Sequence, residues 1–313
     1  MKSLTAIAIS GGVDSLTAAY LLKQAGEPLI GIHFLTGYED EACSTDALKR
    51  QIAGLADQLD MPVEIMDCTA AFQTLVVDYF IKSYRMGLTP NPCLVCNPAI
   101  KFGTMFAQAR QLGATRLATG HYARISRDTD NGLHLLRGFD DAKDQSYFLA
   151  RLTRKQLAHA VFPLGQMTKT ETQALARANG LKPVSRKESQ DVCFIHARTY
   201  GEFLEQQGLP VQPGPIVDVQ GNVLGEHKGL HLFTVGQRRG INCPASHPYY
   251  VVKIDPGRNQ LTVGTQKDLA TEHCRVEGIN WIQAPPKDAL QVHTRVRYRH
   301  KAALSTLVPL GAQ

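Results

Sequence analysis

The chain has 313 residues, 43% hydrophobic and 20% charged, with a formal net charge of +6. These are globular values, with apolar material enough for two or three domains. No secretory leader and no apolar run of membrane-span length is visible, so the expected location is the cytoplasm. There the seven scattered cysteines are free, catalytic or metal-bound rather than a disulfide framework. Basic residues bunch late, in RRG at 238–240 and RVRYRHK at 295–301. That distribution suits a polyanionic partner such as RNA.

A short apolar strand through Leu4–Ile9 leads into AISGGVDS at 8–15, and an apolar-periodic helix follows. This is the layout of a phosphate cradle. Gly11 and Gly12 let backbone N–H groups approach an oxyanion. The helix after them turns its positive dipole end to the same spot. Ser10 and Ser15 add hydroxyls. Asp14 is out of place beside phosphates unless Mg²⁺ bridges it to them. No G-x-x-x-x-G-K-[ST] is present, so this is not the loop that grips phosphates with a lysine.

Gly26 closes the first helix, and the strand PLIGIHFL follows at 28–35. A helix through DALKRQIAGLADQLD precedes the strand PVEIMDC at 62–68, and another helix spans AAFQTLVVDYFIKSYRMG. The helix KFGTMFAQARQLGA feeds the strand RLATGHYARI at 116–125. The β-α-β-α order predicts a doubly wound parallel sheet, with ligands at the carboxyl ends of its strands. The SGG loop, Phe34, Cys68 and GHY fall at those ends.

The segment LTPNPCLVCN at 88–97 carries Cys93 and Cys96 after two prolines, Pro90 and Pro92, which predict a rigid extended loop. Cys193 comes about a hundred residues later. Three readings of this trio stay open: a redox or persulfide pair, a three-thiolate iron–sulfur cluster with one open iron, or zinc completed by a histidine. Cys43, Cys68, Cys243 and Cys274 read as structural or surface thiols. Lys101, Arg186 and Lys187 are the nearby charges that could depress a thiol pKa.

From about 205 the chain turns to short alternating segments. PIVDVQGNVLGEHKG and the hairpin YYVVKIDPGRNQLTVG make a small β-rich unit. CRVEGINWI, QVHTRVRYRH and ALSTLVPL read as further strands before Gln313. The expected division is 1–205, an α/β catalytic domain; 206–268, a β-rich central domain; and 269–313, an incomplete C-terminal β-barrel.

The phosphate loop resembles that of the N-type, PP-loop ATP pyrophosphatases. With TPNPCLVCN-PAIKF, ATGHYAR, DAKDQSYFL, CFI and GEHKGLHLFTVGQRRG, the chain resembles the bacterial tRNA-specific 2-thiouridylases over nearly its whole length. That resemblance implies a sulfurtransferase. It would adenylate the 2-carbonyl oxygen of a wobble uridine with ATP and Mg²⁺, then replace that oxygen by sulfur. By the same resemblance Ala8, Ile9, Ser10, Gly11, Gly12, Val13, Asp14, Ser15, Phe34 and Gly120 hold ATP. Asn91, Pro92 and Cys93 face the target base, and His121 lies near the reaction site. Cys96 is the nucleophile and Cys193 the persulfide carrier. Lys143, Asp144, Gln145, Arg297 and Tyr298 contact tRNA. The implied sulfur donor is a cysteine desulfurase or relay protein. Two departures stand out. Many members carry aspartate where this chain has Cys93, so Cys93, Cys96 and Cys193 form a candidate set for a 4Fe–4S cluster. The family's last barrel strands, with a tRNA-contacting glutamine, are absent from the sequence. Two other functions are carried alongside: a PP-loop ligase activating a small carboxylate, and a non-catalytic tRNA- or cluster-binding protein.

Overall fold

The computed structural model describes residues 3–39, 45–129, 132–184, 192–195, 199–244 and 247–310. Strands β1 (Thr5–Ala8), β2 (Leu29–Leu35), β3 (Val63–Asp67), β4 (Arg116–Ala118) and β7 (Ala160–Val161) form one sheet, in the order β3-β2-β1-β4-β7. Every pairing in it is parallel. β1 and β2 are covered on both faces, which is why they read as apolar runs, whereas β3 at the sheet edge exposes Glu64, Ile65 and Asp67. Ala6 and Ile32 pack with the helices that follow β3. Ile7 and Ile9 pack on the other face with Leu16 of helix Val13–Gln24 and with Leu55 and Leu59. Gly26 closes that helix at φ +66°, the left-handed geometry expected of a helix terminator. The order reverses between β1 and β4, so the loops after these two strands flank the crevice where such sheets bind ligands.

Three expectations are corrected. The strand expected over 116–125 is two. β4 stops at Ala118, and β5 (Ala123–Arg127) pairs antiparallel with β6 (Leu133–Arg137) in a separate hairpin. The break is Thr119–Tyr122, where Gly120 must pass against the phosphate loop. The extended loop expected around the cysteines is helical. Cys93–Cys96 is a helical turn with Pro92 as its N-cap, and it runs into a π-helical segment, Asn97–Met105. Proline costs nothing at a helix start, where its missing N–H would have had no partner. CRVEGINWI is not a strand. It is a strap whose Asn280 Nδ2 donates to the carbonyls of Ala150 and Leu152 (2.9 and 2.8 Å).

The second unit is a four-stranded sheet of β8 (Gly214–Val217), β9 (Val223–His227), β10 (Tyr250–Asp255) and β11 (Gln260–Gly264), in the order β10-β11-β8-β9. Ile216, Phe233, Ile241, Val251, Leu261 and Val263 form its own core. β12 (Leu290–Thr294) and β13 (Ala303–Leu307) pair as an antiparallel two-stranded sheet, and no barrel closes among the described residues. Nor is any described helix long and apolar enough to cross a membrane.

Candidate active site

The loop after β1 is shaped by one glycine more than by two. Gly11 has φ +78°, whereas Gly12 is an ordinary extended N-cap at φ −78°. Gly11 accepts from the Val184 N–H at 2.9 Å, and a Cβ on it would stand 3.2 Å from the Val184 side chain. The serine hydroxyls brace the loop. Ser15 Oγ donates to the Gly12 carbonyl (2.9 Å) and accepts from the Ser10 N–H (3.3 Å). No side chain caps the first turn of helix Val13–Gln24, so its amide donors are left for an anion.

Asp14 does have a cation beside it. Lys169 Nζ lies 2.8 Å from both carboxylate oxygens, and the Tyr122 hydroxyl donates to Oδ1 at 2.8 Å. The Lys169 side chain is 9% exposed and that of Asp14 33%. Lys169 opens helix Lys169–Ala178, whose N-cap Thr168 forms a capping box with Glu171. Burial, reinforced by the charge of Asp14, pushes the Tyr122 phenol up, so it remains a donor. Gly120 completes the cradle. A Cβ there would lie 2.9 Å from the Asp14 carbonyl carbon and 3.0 Å from the Ser15 nitrogen. Only glycine lets the loop after β4 touch the loop after β1. Phe34 is half-buried at the end of β2, on the same edge.

The three cysteines meet at that edge too. Cys96 is buried, Cys93 half-buried and Cys193 exposed, and all three are free thiols. Asn91 Oδ1 accepts from the Cys93 N–H (3.1 Å), and Asn97 Nδ2 donates to the Phe148 carbonyl (2.8 Å). These two bonds fix the turn at both ends. Cys193 is held by its neighbour. Phe194 is buried edge-on against Phe72 and Phe80, with ring centroids 5.7 and 5.4 Å away. Burial pushes the Cys96 thiol up to about 12, and the charges of Cys193, Cys93 and Cys68 add to it while Lys101 opposes. Cys93 is likewise raised by burial and lowered by Lys101, and the Cys193 thiol, though the residue is exposed, has enough protein packed around it to be raised in the same way, with Cys93 adding and Lys101 opposing. His121 is buried, with Nδ1 2.7 Å from Thr119 Oγ1. Burial and Lys101 hold its pKa well below the usual value, so it is neutral at pH 7. Among the described residues no three His, Cys, Asp or Glu side chains are gathered as a metal site.

The DAKDQSYFL segment lies beside the cradle. Asp144 is 2% exposed. It accepts from the Gly138 and Ser146 N–H groups (3.0 and 3.1 Å) and faces Arg137 and Arg295. Gln145 clasps Tyr122 twice, its side-chain oxygen taking the Tyr122 N–H (3.0 Å) and its own N–H reaching the Tyr122 carbonyl (2.8 Å). Tyr298 packs on Phe148 (4.4 Å) and Tyr147 (6.0 Å). The Arg297 charge acts on Tyr84 and Tyr147.

A family model described as tRNA methyl transferase HUP domain matches residues 4–197, and one described as tRNA methyl transferase PRC-barrel domain matches residues 201–265. The tRNA-specific 2-thiouridylase MnmA of Desulfosudis oleivorans is 51% identical over 309 residues, covering 98% of this chain and 85% of that relative. The chain belongs to the tRNA-specific 2-thiouridylase family. The Geotalea uraniireducens 2-thiouridylase is 42% identical over 97% of this chain and 84% of its own length. Among solved structures, an NMN synthetase from Francisella tularensis aligns over 58% of this chain and 63% of its own, at 15% identity and a TM-score of 0.37.

In this member of the 2-thiouridylase family the residues singled out in the sequence fall into two groups. The loop 8–15, Gly120, His121, Cys93, Cys96 and Cys193 share the carboxyl edge of the sheet. Arg297 and Tyr298 sit apart from the cradle, on the KDQSYF segment. Asp144 and Gln145 face inward, while Lys143 keeps part of its side chain in water. Arg186, Lys187 and Cys43 lie outside the described residues. Sequence reasoning missed Lys169 and Tyr122. A weak signal for Lys169 existed. It is a lysine at the first position of a capping-box helix, where the dipole disfavours a cation unless an anion is near.

Proposed function

We infer that this chain is an ATP-dependent tRNA sulfurtransferase that converts a wobble uridine to 2-thiouridine. The observation that carries the reading is the shared edge. A phosphate cradle and three thiols stand together in a chain 51% identical to a tRNA-specific 2-thiouridylase. A uridine carbonyl is a poor electrophile with a worse leaving group. Its oxygen attacks the α-phosphorus of ATP, pyrophosphate leaves, and the oxygen is carried off as AMP in the next step. The cradle N–H groups and Lys169 hold the phosphates. Asp14, with a third of its side chain exposed, would hold Mg²⁺, which would supply positive charge to the phosphates.

Sulfur arrives as a persulfide on Cys193, whose exposure suits delivery by a cysteine desulfurase or relay protein in the cytoplasm. The terminal sulfur attacks C2 and AMP leaves, giving a Cys193–S–S–tRNA adduct. The Cys96 thiolate then attacks the Cys193 sulfur. A Cys96–Cys193 disulfide forms and the thiouridine leaves with the electron pair. An external thiol reductant resets the pair. Asn91, Pro92 and Cys93 line the approach to these sulfurs, where a base splayed from its stack would enter. Three units, 1–205, 206–268 and 269–313, divide the work, the last carrying tRNA contacts. A small-carboxylate ligase would have no use for the thiols, and a non-catalytic binder none for the Asp14–Lys169 pair. The test is a reaction of tRNA, ATP, Mg²⁺ and a persulfide donor, read as 2-thiouridine, AMP and pyrophosphate. No tRNA-dependent pyrophosphate would reject the reading.

Two expectations arise here. Cys93→Ser retains thiolation within about two-fold in iron-free protein, because a relay needs two sulfurs. Loss as complete as in the other two cysteine variants, together with anaerobic brown absorbance, would restore the cluster. Arg297→Gln weakens tRNA binding and lowers the slope of log K against log salt by about one, with ATP affinity unchanged. Unaltered tRNA affinity across several salt concentrations would remove Arg297 from the docking surface.

A further inference from the structure

Lys101 has no part in the reaction described above, yet the fold takes unusual measures to aim it. The turn Cys93–Cys96 continues into the π-helical segment Asn97–Met105, with Cys96 as its N-cap. In an α-helix two residues five apart point about 140° away from each other around the axis. In a π-helix the i→i+5 bond closes a turn across that spacing. Lys101 follows Cys96 by five, so the widened turn brings it onto the cysteine face.

The sequence explains the widening. Pro98 has no N–H to give, and its ring collides with the carbonyl four residues back. Gly103, five residues on, leaves room for the Pro98 carbonyl, which a Cβ would approach to 2.8 Å. Thr104 Oγ1 donates to the Ala99 carbonyl (3.3 Å). Gln156, from helix Arg154–His159, reaches in and donates to the carbonyls of Pro98 (2.7 Å) and Phe102 (3.2 Å). Phe102 turns against Phe162, whose other neighbour is His121 (6.2 and 6.1 Å).

Lys101 is half-buried and its charge acts on Cys93, Cys96, Cys193 and His121. No carboxylate among the described residues forms an ion pair with it. Glu39, the acid that also acts on Cys193, is held by the Thr36 hydroxyl and N–H and by the Gly37 N–H (2.9, 2.6 and 3.1 Å). His121 is neutral. The described groups on which this ammonium acts are three thiols and a neutral imidazole.

We propose that Lys101 is the positioning residue of the sulfur-transfer site: its ammonium, set by the π-helical turn that Gln156 braces, holds an anionic sulfur, a persulfide terminus or hydrosulfide, between Cys193 and Cys96. This rests on the reading that sulfur passes through these thiols. The test uses no tRNA, ATP or sulfur donor, so it can fail on its own. The apo protein is alkylated at one pH with anionic iodoacetate and with neutral iodoacetamide, and each cysteine is quantified by mass spectrometry. The ratio of the two rates cancels the thiol's ionisation and most of its accessibility, leaving the local field. Cys274, exposed on the strap, is the internal reference. The wild-type ratio at Cys193 exceeds that at Cys274 by about five-fold, the effect of one unit charge a few ångströms away in water, and falls with added salt. Lys101→Met brings it to the Cys274 value, and Lys101→Arg keeps it raised. Gln156→Leu, with Lys101 intact, lowers it in part. A ratio that Lys101→Met leaves unchanged, or that Lys101→Arg lowers equally, overturns the proposal.

Discussion

Cys193→Ser is expected to lower tRNA thiolation by about a thousand-fold or more while tRNA-dependent pyrophosphate release continues, since the lost group is the nucleophile of the second step alone. Serine cannot carry a persulfide. The fold should be indifferent to the change. Cys193 is exposed, and its placement comes from Phe194 in the aromatic cluster. Cys96→Ser loses turnover equally but stops one step later. It should accumulate a Cys193–S–S–tRNA adduct, visible as a gel shift and removed by dithiothreitol. Burial pushes the Cys96 thiol up to about 12, so at neutral pH its thiolate is the minor form. Resolution of the adduct by the intact enzyme should therefore quicken by about ten-fold per pH unit between pH 7 and 9. Thiolation by Cys193→Ser at the wild-type rate would reject the relay altogether.

Asp14→Asn is expected to lower tRNA-dependent pyrophosphate release by about a hundred-fold or more, the scale of losing one charged group that organises a transition state. Asp14→Ala should do the same and also destabilise the fold. The Lys169 ammonium, 9% exposed, would lose the Asp14 carboxylate, and removing one partner of a buried ion pair costs about 3–5 kcal/mol. Asp14 keeps a third of its side chain in water, so we expect nearer about 2 kcal/mol, seen as a lower urea midpoint. Asp14→Ala combined with Lys169→Met should recover much of that stability and none of the activity. If the double variant were as unstable as the single, the pair would not be the cause. If Asp14→Asn released pyrophosphate normally, the cradle would not be the adenylation site.

Several features were plain in the residues. SGGVDS between a strand and a helix reads as a cradle because glycine, dipole and hydroxyl requirements are local. Gly26 marks its helix end for the same reason. The hairpin around DPGRN appears as β10 and β11 because turn chemistry and strand alternation act over a few residues. The prolines at 90 and 92 misled. Their local preference is extended, but Pro92 stands at a helix start, where that preference is overridden. The strand at 116–125 was misread because nothing local says that Gly120 must pass so near Asp14 that a Cβ would stand 2.9 Å from its carbonyl carbon.

By itself the sequence determined the parallel sheet, the cradle and the residue types of the thiol site, since each depends on spacing within one short segment. Only the tertiary structure decided that Asp14 is answered by Lys169, 155 residues away. It alone set Gln145 on Tyr122, and Lys101 where its charge acts on three thiols. Those choices are made by burial. A charge or a thiol taken out of water must find its partner among whatever side chains the fold brings near, and chain order does not say which those are.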